Sequence, residues 1–480
     1  MIKLPEPRSL SATEQFALET LVDLSRLVPA AAALDVTRLE LTNAGPLARD
    51  LRGWVAAGWG IDVADGIVRV PRALLPALVD VVGAGAEQRA TERDRYGRVP
   101  SSVNPLVREG LEREPVIQRA SLALREAARR AAARRPFRTV LPWPGKHSWA
   151  AAFTHDLDVV EWWPAFTLLR VVELARKGAF GRLARVAASA IGSAGFDPVS
   201  QGVVGVLNSE ANAHIRSTWF ILCGTPTLQT MRAGDLTYSP ESTKARGIIA
   251  QVRAIGHEIG LHGSFATLDH EEAFGEQRRR LEAIGGAPVR GVRQHYVRIR
   301  PGVTEHAMAG AGFVYDSTFG FPDRNGFRLG VADVVRRWDV AANTPIAIDE
   351  VPFTWMDRAL SKYRGIESPG TWTEDALALA ATAREVGGLW VGLWHPSLTP
   401  ALGFPDAPAA YGATIAGVLA ESPFLATLET IVEWRRARRG VHATAIAPDG
   451  SVATTTPIPA RPPFQLRLED GDGRPAETLR

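Results

Sequence analysis

Among 480 residues there is one cysteine, Cys223. That excludes an internal disulfide framework and any zinc site built on paired thiolates. Lysine is also scarce: only five of the 55 basic residues are lysine, the rest arginine. With 52 acidic residues interspersed, the net charge is only +3, so the surface is mixed and lacks the basic footprint of a nucleic-acid binder. No apolar run approaches the roughly 18 residues that a membrane-spanning helix needs. The opening stretch MIKLPEPRSLSATEQFALET has no apolar core of signal-peptide length, and the expected location is the cytoplasm. What is present is a globular composition, 46% hydrophobic and 22% charged, in a chain long enough for two or three domains.

Residues 1–140 read as a mainly helical accessory domain. TEQFALETLVDLSRLVPAA has helical spacing after a Ser-Ala-Thr start. VADGIVRVPRALLPALVDVVGAG reads as a short strand and then a helix closed by glycine, and ASLALREAARRAAARRP as an Ala/Arg helix stopped by Pro136. The Pro/Gly-rich LPWPGKHS marks the start of a second unit, 141–440, and 441–480 reads as a polar, Pro-rich tail. Within 141–440 a pattern recurs: a short apolar run ending in polar residues, then a helical stretch. The runs are WAAAFTHDLD, RSTWFILCG, HEIGLHGS, VRGVRQHY, GFVYDSTFG, IAIDEVPFT and LWVGLWHP. Seven strands alternating with helices predict a parallel α/β sheet closed or partly closed into a barrel. In such folds the reacting groups gather where strands end. A basic amphipathic insertion at about 161–215 interrupts the pattern, and its part 161–195 is a candidate for peripheral membrane contact.

Four of the ten histidines, His155, His262, His295 and His395, fall at strand ends, as do Asp156, Asp158, Arg293, Asp316 and Glu350. In FTHDLD, Asp156 and Asp158 share a face of an extended chain. Two carboxylates that close repel unless a cation or proton intervenes; a divalent ion on one leaves the other free as a base, and a capping pair is the plain alternative. GHEIGLHGS spaces His257 and His262 five apart, which excludes the i, i+4 pair of a zincin helix. His262, at the strand end, is the better ligand candidate. Arg293 can hold a carboxylate in a fixed fork, and His395 can exchange a proton with a leaving group.

THDLD, GHEIGLHGS, RQHY, YDSTFGF and LWHP occur in the order of the motifs of the polysaccharide deacetylase superfamily, the NodB-type carbohydrate esterases, and the chain resembles a divergent subfamily over about 149–400. The resemblance implies a distorted, incomplete (β/α) barrel and metal-dependent removal of an N-acetyl group from an amino sugar or glycan. It implies Asp156 as base, Asp158 and His262 as metal ligands, Arg293 as the arginine orienting the base, His395 as the acid and Asp316 as support for the charged network. One departure stands out: the family's second ligand histidine follows the first by four residues, and that position is Ala266. His295, which replaces a proline of the family motif, is the favoured substitute, and His270 is the alternative. Tyr296, His155 and Glu350 are candidate substrate contacts, with the role of His155 open. Zinc is the expected ion, with cobalt or nickel compatible. The expected substrate is an amino sugar or glycan, with a nucleotide- or lipid-linked form as the candidate; the rival readings are hydrolysis of another amide, such as a formamido sugar or ureide, and a metal-free sugar-binding protein.

Overall fold

A computed structural model describes residues 1–480 except 47, 134–136, 146, 161–164, 193–197, 226–229, 231–234, 236–237, 367, 448–450, 456–466, 470–474 and 479–480. Helix Ala12–Ser25 begins as its sequence predicts: Ser11 accepts from the Glu14 N–H, and Glu14 reaches back to the Ser11 N–H. A small sheet follows, of β1 (Arg38–Thr42), β2 (Asp62–Ala64) and β3 (Ile67–Pro71) in the order β1-β3-β2. Helices Leu74–Val82 and Val116–Ala132 complete the N-terminal region.

After β4 (Thr139–Val140) comes β5 (Ala150–Leu157), the run that ends in FTHDLD. All eight of its residues are buried, as expected of a parallel strand covered on both faces. Next come β6 (Thr218–Leu222), β7 (Glu258–Gly263), β8 (Gly291–Gln294), β9 (Tyr315–Asp316), β10 (Val335–Asp339), β11 (Thr344–Glu350), β12 (Trp355–Met356), β13 (Leu389–Trp394) and β14 (Phe424–Leu425). They form one sheet in the order β10-β11-β9-β8-β7-β6-β5-β13-β12, with β14 also on β5. Every pairing is parallel except β10 with β11. The end strands β10 and β12 do not pair with each other. The sheet is therefore the expected incomplete (β/α) barrel. The seven apolar runs each supply a strand; β10, β12 and β14 are additions that short length or antiparallel pairing hid from the repeat pattern.

The insertion between β5 and β6 holds helices Ala165–Arg176, Phe180–Gly192 and Pro198–Asn212; its residues 161–164 and 193–197 lie outside the described residues. Among the described residues no helix is long and apolar enough to cross a membrane. The tail predicted from 441 carries a two-stranded sheet, Ala443–Ile446 with Val452–Thr454, and a strand Arg467–Glu469 that pairs with β4. The N-terminal helices share a core with the β10 end of the barrel. Phe16, Leu21, Leu78 and Leu124 pack in one cluster with Phe319, Val335 and Trp338, and the Phe16 and Trp338 rings lie 4.9 Å apart.

Candidate metal-dependent active site

The parallel register sets the site. Along β5 the side chains alternate, so His155 faces one way while Asp156 and, just past the strand, Asp158 face the other. His262 on β7 sits in register with Arg293 on β8. His395 follows Trp394, which pairs with His155. These neighbours bring Asp156, Asp158, His262, His295 and His395 to one cavity of about 570 Å3.

Asp158, His262 and His295 each present a ligand atom within 4.8 Å of the others. The His262 Nε2 lies 3.3 Å and the His295 Nε2 3.5 Å from Asp158 Oδ1. The other nitrogen of each ring is engaged. His262 Nδ1 donates to the Arg293 carbonyl at 2.9 Å, and His295 Nδ1 meets Asp235 Oδ1 at 2.5 Å. Donation from Nδ1 leaves the Nε2 lone pairs free to coordinate, and a carboxylate behind a ligand histidine fixes its ring and raises its basicity. Two neutral imidazoles and one carboxylate suit a zinc-like divalent ion with positions left for water and substrate, so the residues present fit the ion that the motifs imply. Burial works against the Asp158 carboxylate, but His295, His262 and His395 outweigh it and hold the group well below the usual carboxylate range. His270 stands elsewhere: it is exposed and precedes helix Glu271–Gly285.

Asp156 is held from behind. Arg293, fully buried, donates to Asp156 Oδ1 at 2.9 Å. The same guanidinium donates to Thr154 Oγ1 at 3.0 Å and to Ser317 through its carbonyl at 2.9 Å and its hydroxyl at 2.8 Å. The Phe220 ring lies 4.3 Å beneath it. With this many contacts the fork has one position, and so has the carboxylate it grips. The other oxygen, Asp156 Oδ2, is 3.6 Å from His262 Nε2.

Opposite, His395 Nδ1 meets Asp357 Oδ1 at 2.6 Å, and the His395 N–H donates to Asp357 Oδ2 at 2.6 Å. Its Nε2 lies 3.7 Å from Asp158 Oδ2. Burial lowers the pKa of the imidazole, but Asp357, Asp158 and Asp156 more than offset this and raise it. The raised pKa favours the protonated form of this ring.

Tyr296 turns the chain just after His295. Its φ is 60° and that of Val297 is 57°, left-handed values that cost about 1–3 kcal/mol each for residues other than glycine. The turn lays the Tyr296 ring on His295 at 3.9 Å.

Four predicted site residues do not line the cavity: Arg293, which grips Asp156 from behind, and His155, Asp316 and Glu350. His155 is fully buried on the far face of β5, with Nδ1 at 2.9 Å from the Trp394 carbonyl and Nε2 at 3.0 Å from Glu210. Asp316 and Glu350, also buried, stand side by side on β9 and β11. Asp235 and Asp357, which brace His295 and His395, were missed by the sequence reading. Asp357 has a faint signal, an aspartate just past the short β12; Asp235 lies 60 residues before its partner in a stretch with no periodicity.

No family model matches the chain, and no curated protein does. Among solved structures the chain is similar to a Mycobacterium smegmatis protein described as a polysaccharide deacetylase, at 23% identity over 64% of this chain and 96% of that one, with a TM-score of 0.42. It is similar to Puue allantoinase at 16% identity, covering 61% and 91%, with a TM-score of 0.41. A third likeness is to the chitin deacetylase of the fungal pathogen Colletotrichum lindemuthianum, at 13% identity, covering 64% and 92%, with a TM-score of 0.29.

Proposed function

We propose that the chain is a metal-dependent amide hydrolase that removes the N-acetyl group of an amino sugar or glycan intermediate, with 141–440 as the catalytic barrel and 1–140 as an accessory domain. The observation that carries the reading is the pairing of a braced carboxylate with a braced imidazole on two sides of a three-donor metal set. Asp158, His262 and His295 hold the ion, most naturally zinc. Bound there, it supplies a Lewis acid for the acyl oxygen and lowers the pKa of water.

The protein's own groups do the rest. Asp156, fixed by Arg293, takes a proton from the attacking water as the new C–O bond forms. His395, fixed by Asp357, gives its proton to the nitrogen as the C–N bond breaks. The products are acetate and a free amine. Binding alone would not require a base, its orienting arginine, an acid and its orienting carboxylate in one cavity.

The test is elemental analysis of the purified protein together with acetate release from N-acetylated amino sugars. One divalent ion per chain and acetate production are expected. Formate release from a formamido sugar, with no acetate from any substrate, would move the reading to another amide. Absence of both metal and product would leave a sugar-binding protein.

A further inference from the structure

The cavity holds more positive charge than the hydrolysis of a neutral sugar amide needs. Apart from Asp156 and Asp158, Glu173 is the carboxylate on its wall. Glu173 is already taken by Arg170 at 2.7 Å and Lys177 at 3.0 Å. Arg98 is held by Asp94 at 2.7 Å. Arg95, Arg176, Arg358 and Lys362 also line the cavity, and none has an ion pair among the described residues.

Three of these cations converge beside the metal centre from two separate elements. Arg358 directly follows Asp357, the carboxylate that grips His395. The Lys362 ammonium stands 5.7 Å from the Tyr96 ring, 5.9 Å from Tyr296 and 5.6 Å from Tyr363. Arg95 lies over the Tyr96 ring at 4.7 Å, and Tyr96 stacks on Tyr296 at 4.7 Å. Since Tyr296 covers His295, the cations sit one ring away from a metal ligand.

We propose that the substrate carries a phosphate or diphosphate group bound by Arg95, Arg358 and Lys362, so that the acyl group enters the metal centre while the phosphate anchors the molecule beside it. The proposal rests on the hydrolase reading and names its substrate class. A carboxylate brings one charge and leaves most of this set unmatched. A phosphomonoester or diphosphate brings about two, with the oxygens that arginine forks bind in pairs. Like charges brought together under partial burial are unfavourable until an anion joins them; burial and Arg358, with Arg95, outweigh Glu173 and Asp158 and bring the Lys362 pKa down to about 8. The cations line a concavity on a chain of net charge only +3, which suits a small anion better than a nucleic-acid strand. Leu168 and Phe180, 64% and 70% exposed, lie on the insertion helices, the first of which lines the cavity. The other ester of the phosphate therefore comes from either a soluble nucleotide or a lipid.

Calorimetry on the full chain, treated with chelator so that phosphate cannot bind a metal, tests this with N-acetylglucosamine 1-phosphate against N-acetylglucosamine. The phosphate should tighten binding by about tenfold or more, as charge-paired contacts do, and Arg358→Gln with Lys362→Gln should erase the difference. Arg95→Gln, on the other element, should cut it severalfold and serves if the double variant fails to fold. Equal binding of the two sugars, binding of neither, or an undiminished preference in folded variants overturns the proposal. Because the readout is binding, an inactive protein that still prefers the phosphate would refute the hydrolase reading alone. Substitution of a uridine-diphosphate sugar or a polyprenyl-phosphate sugar in micelles then identifies the source of the phosphate by which binds more tightly.

Discussion

Asp156 and Asp158 are chemically identical and two residues apart, so the different roles proposed for them rest on their surroundings. Arg293 grips one oxygen of Asp156, whereas Asp158 has imidazoles of three histidines within 3.7 Å. Asp156→Asn keeps the shape and removes the base: turnover should fall by about 100-fold or more, with metal content unchanged. Loss of metal in that variant would show the two roles to be reversed. Asp235→Asn tests the brace on His295. It should weaken metal affinity by about 10–100-fold, read by competition with a chelator, whereas His270→Ala should leave affinity as it is. Loss of metal from His270→Ala would move the ligand to the helix start. The motifs made Asp158, His262 and His395 visible because each ends an apolar run. The braces were hidden because hydrogen bonds across 60 and 38 residues follow from how loops fold, and no local spacing encodes them.

At the scale of elements, register decides what touches. β9 and β11 run parallel with Asp316 opposite Glu350, which places two buried carboxyls together. The sequence reading had Asp316 supporting the charged network and Glu350 as a candidate substrate contact, and nothing in their spacing paired the two. Burial raises Asp316 to about 7, and burial together with Asp316 pushes Glu350 well above its ordinary value, so the pair keeps a proton at neutral pH. Both folded values lie above the unfolded ones. The stability they allow is therefore complete below about pH 4, near the ordinary carboxyl values, and is lost as pH rises through 7 and beyond. Glu350→Gln, a neutral partner of similar shape, should lose less thermal stability than the parent between pH 5 and 9. Parallel melting curves for the two proteins across that range would mean that the pair does not share a proton. Runs such as those of β5, β6 and β13 were legible as strands since parallel strands buried on both faces are continuously apolar, whereas β9, though found from its run, keeps only two residues. Two-residue strands such as β12 carry no such pattern.

On the scale of the whole molecule, the N-terminal region and the barrel are joined through buried charge as well as apolar contact. Arg328, between β9 and β10, reaches Glu87 with two donors, at 3.1 and 2.5 Å, and its third donates to the Gly320 carbonyl at 2.8 Å. Asn104 adds a hydrogen bond to the same Glu87 oxygen at 3.0 Å. Both charged side chains are nearly inaccessible, at 2% and 4% exposure. Removing one partner from such a pair strands the other charge in a site that water cannot reach, at a cost of about 3–5 kcal/mol. Glu87→Ala should therefore lower stability by that amount, although it lies far from the chemistry in sequence. Replacing both, as Glu87→Leu with Arg328→Met, removes the stranded charge along with its partner and should recover much of the loss. Because Phe16, Val335 and Trp338 belong to one core, melting of the N-terminal helices, followed by circular dichroism, should coincide with release of the metal. A barrel that keeps its metal after the N-terminal helices have melted would show that the two regions are stable apart.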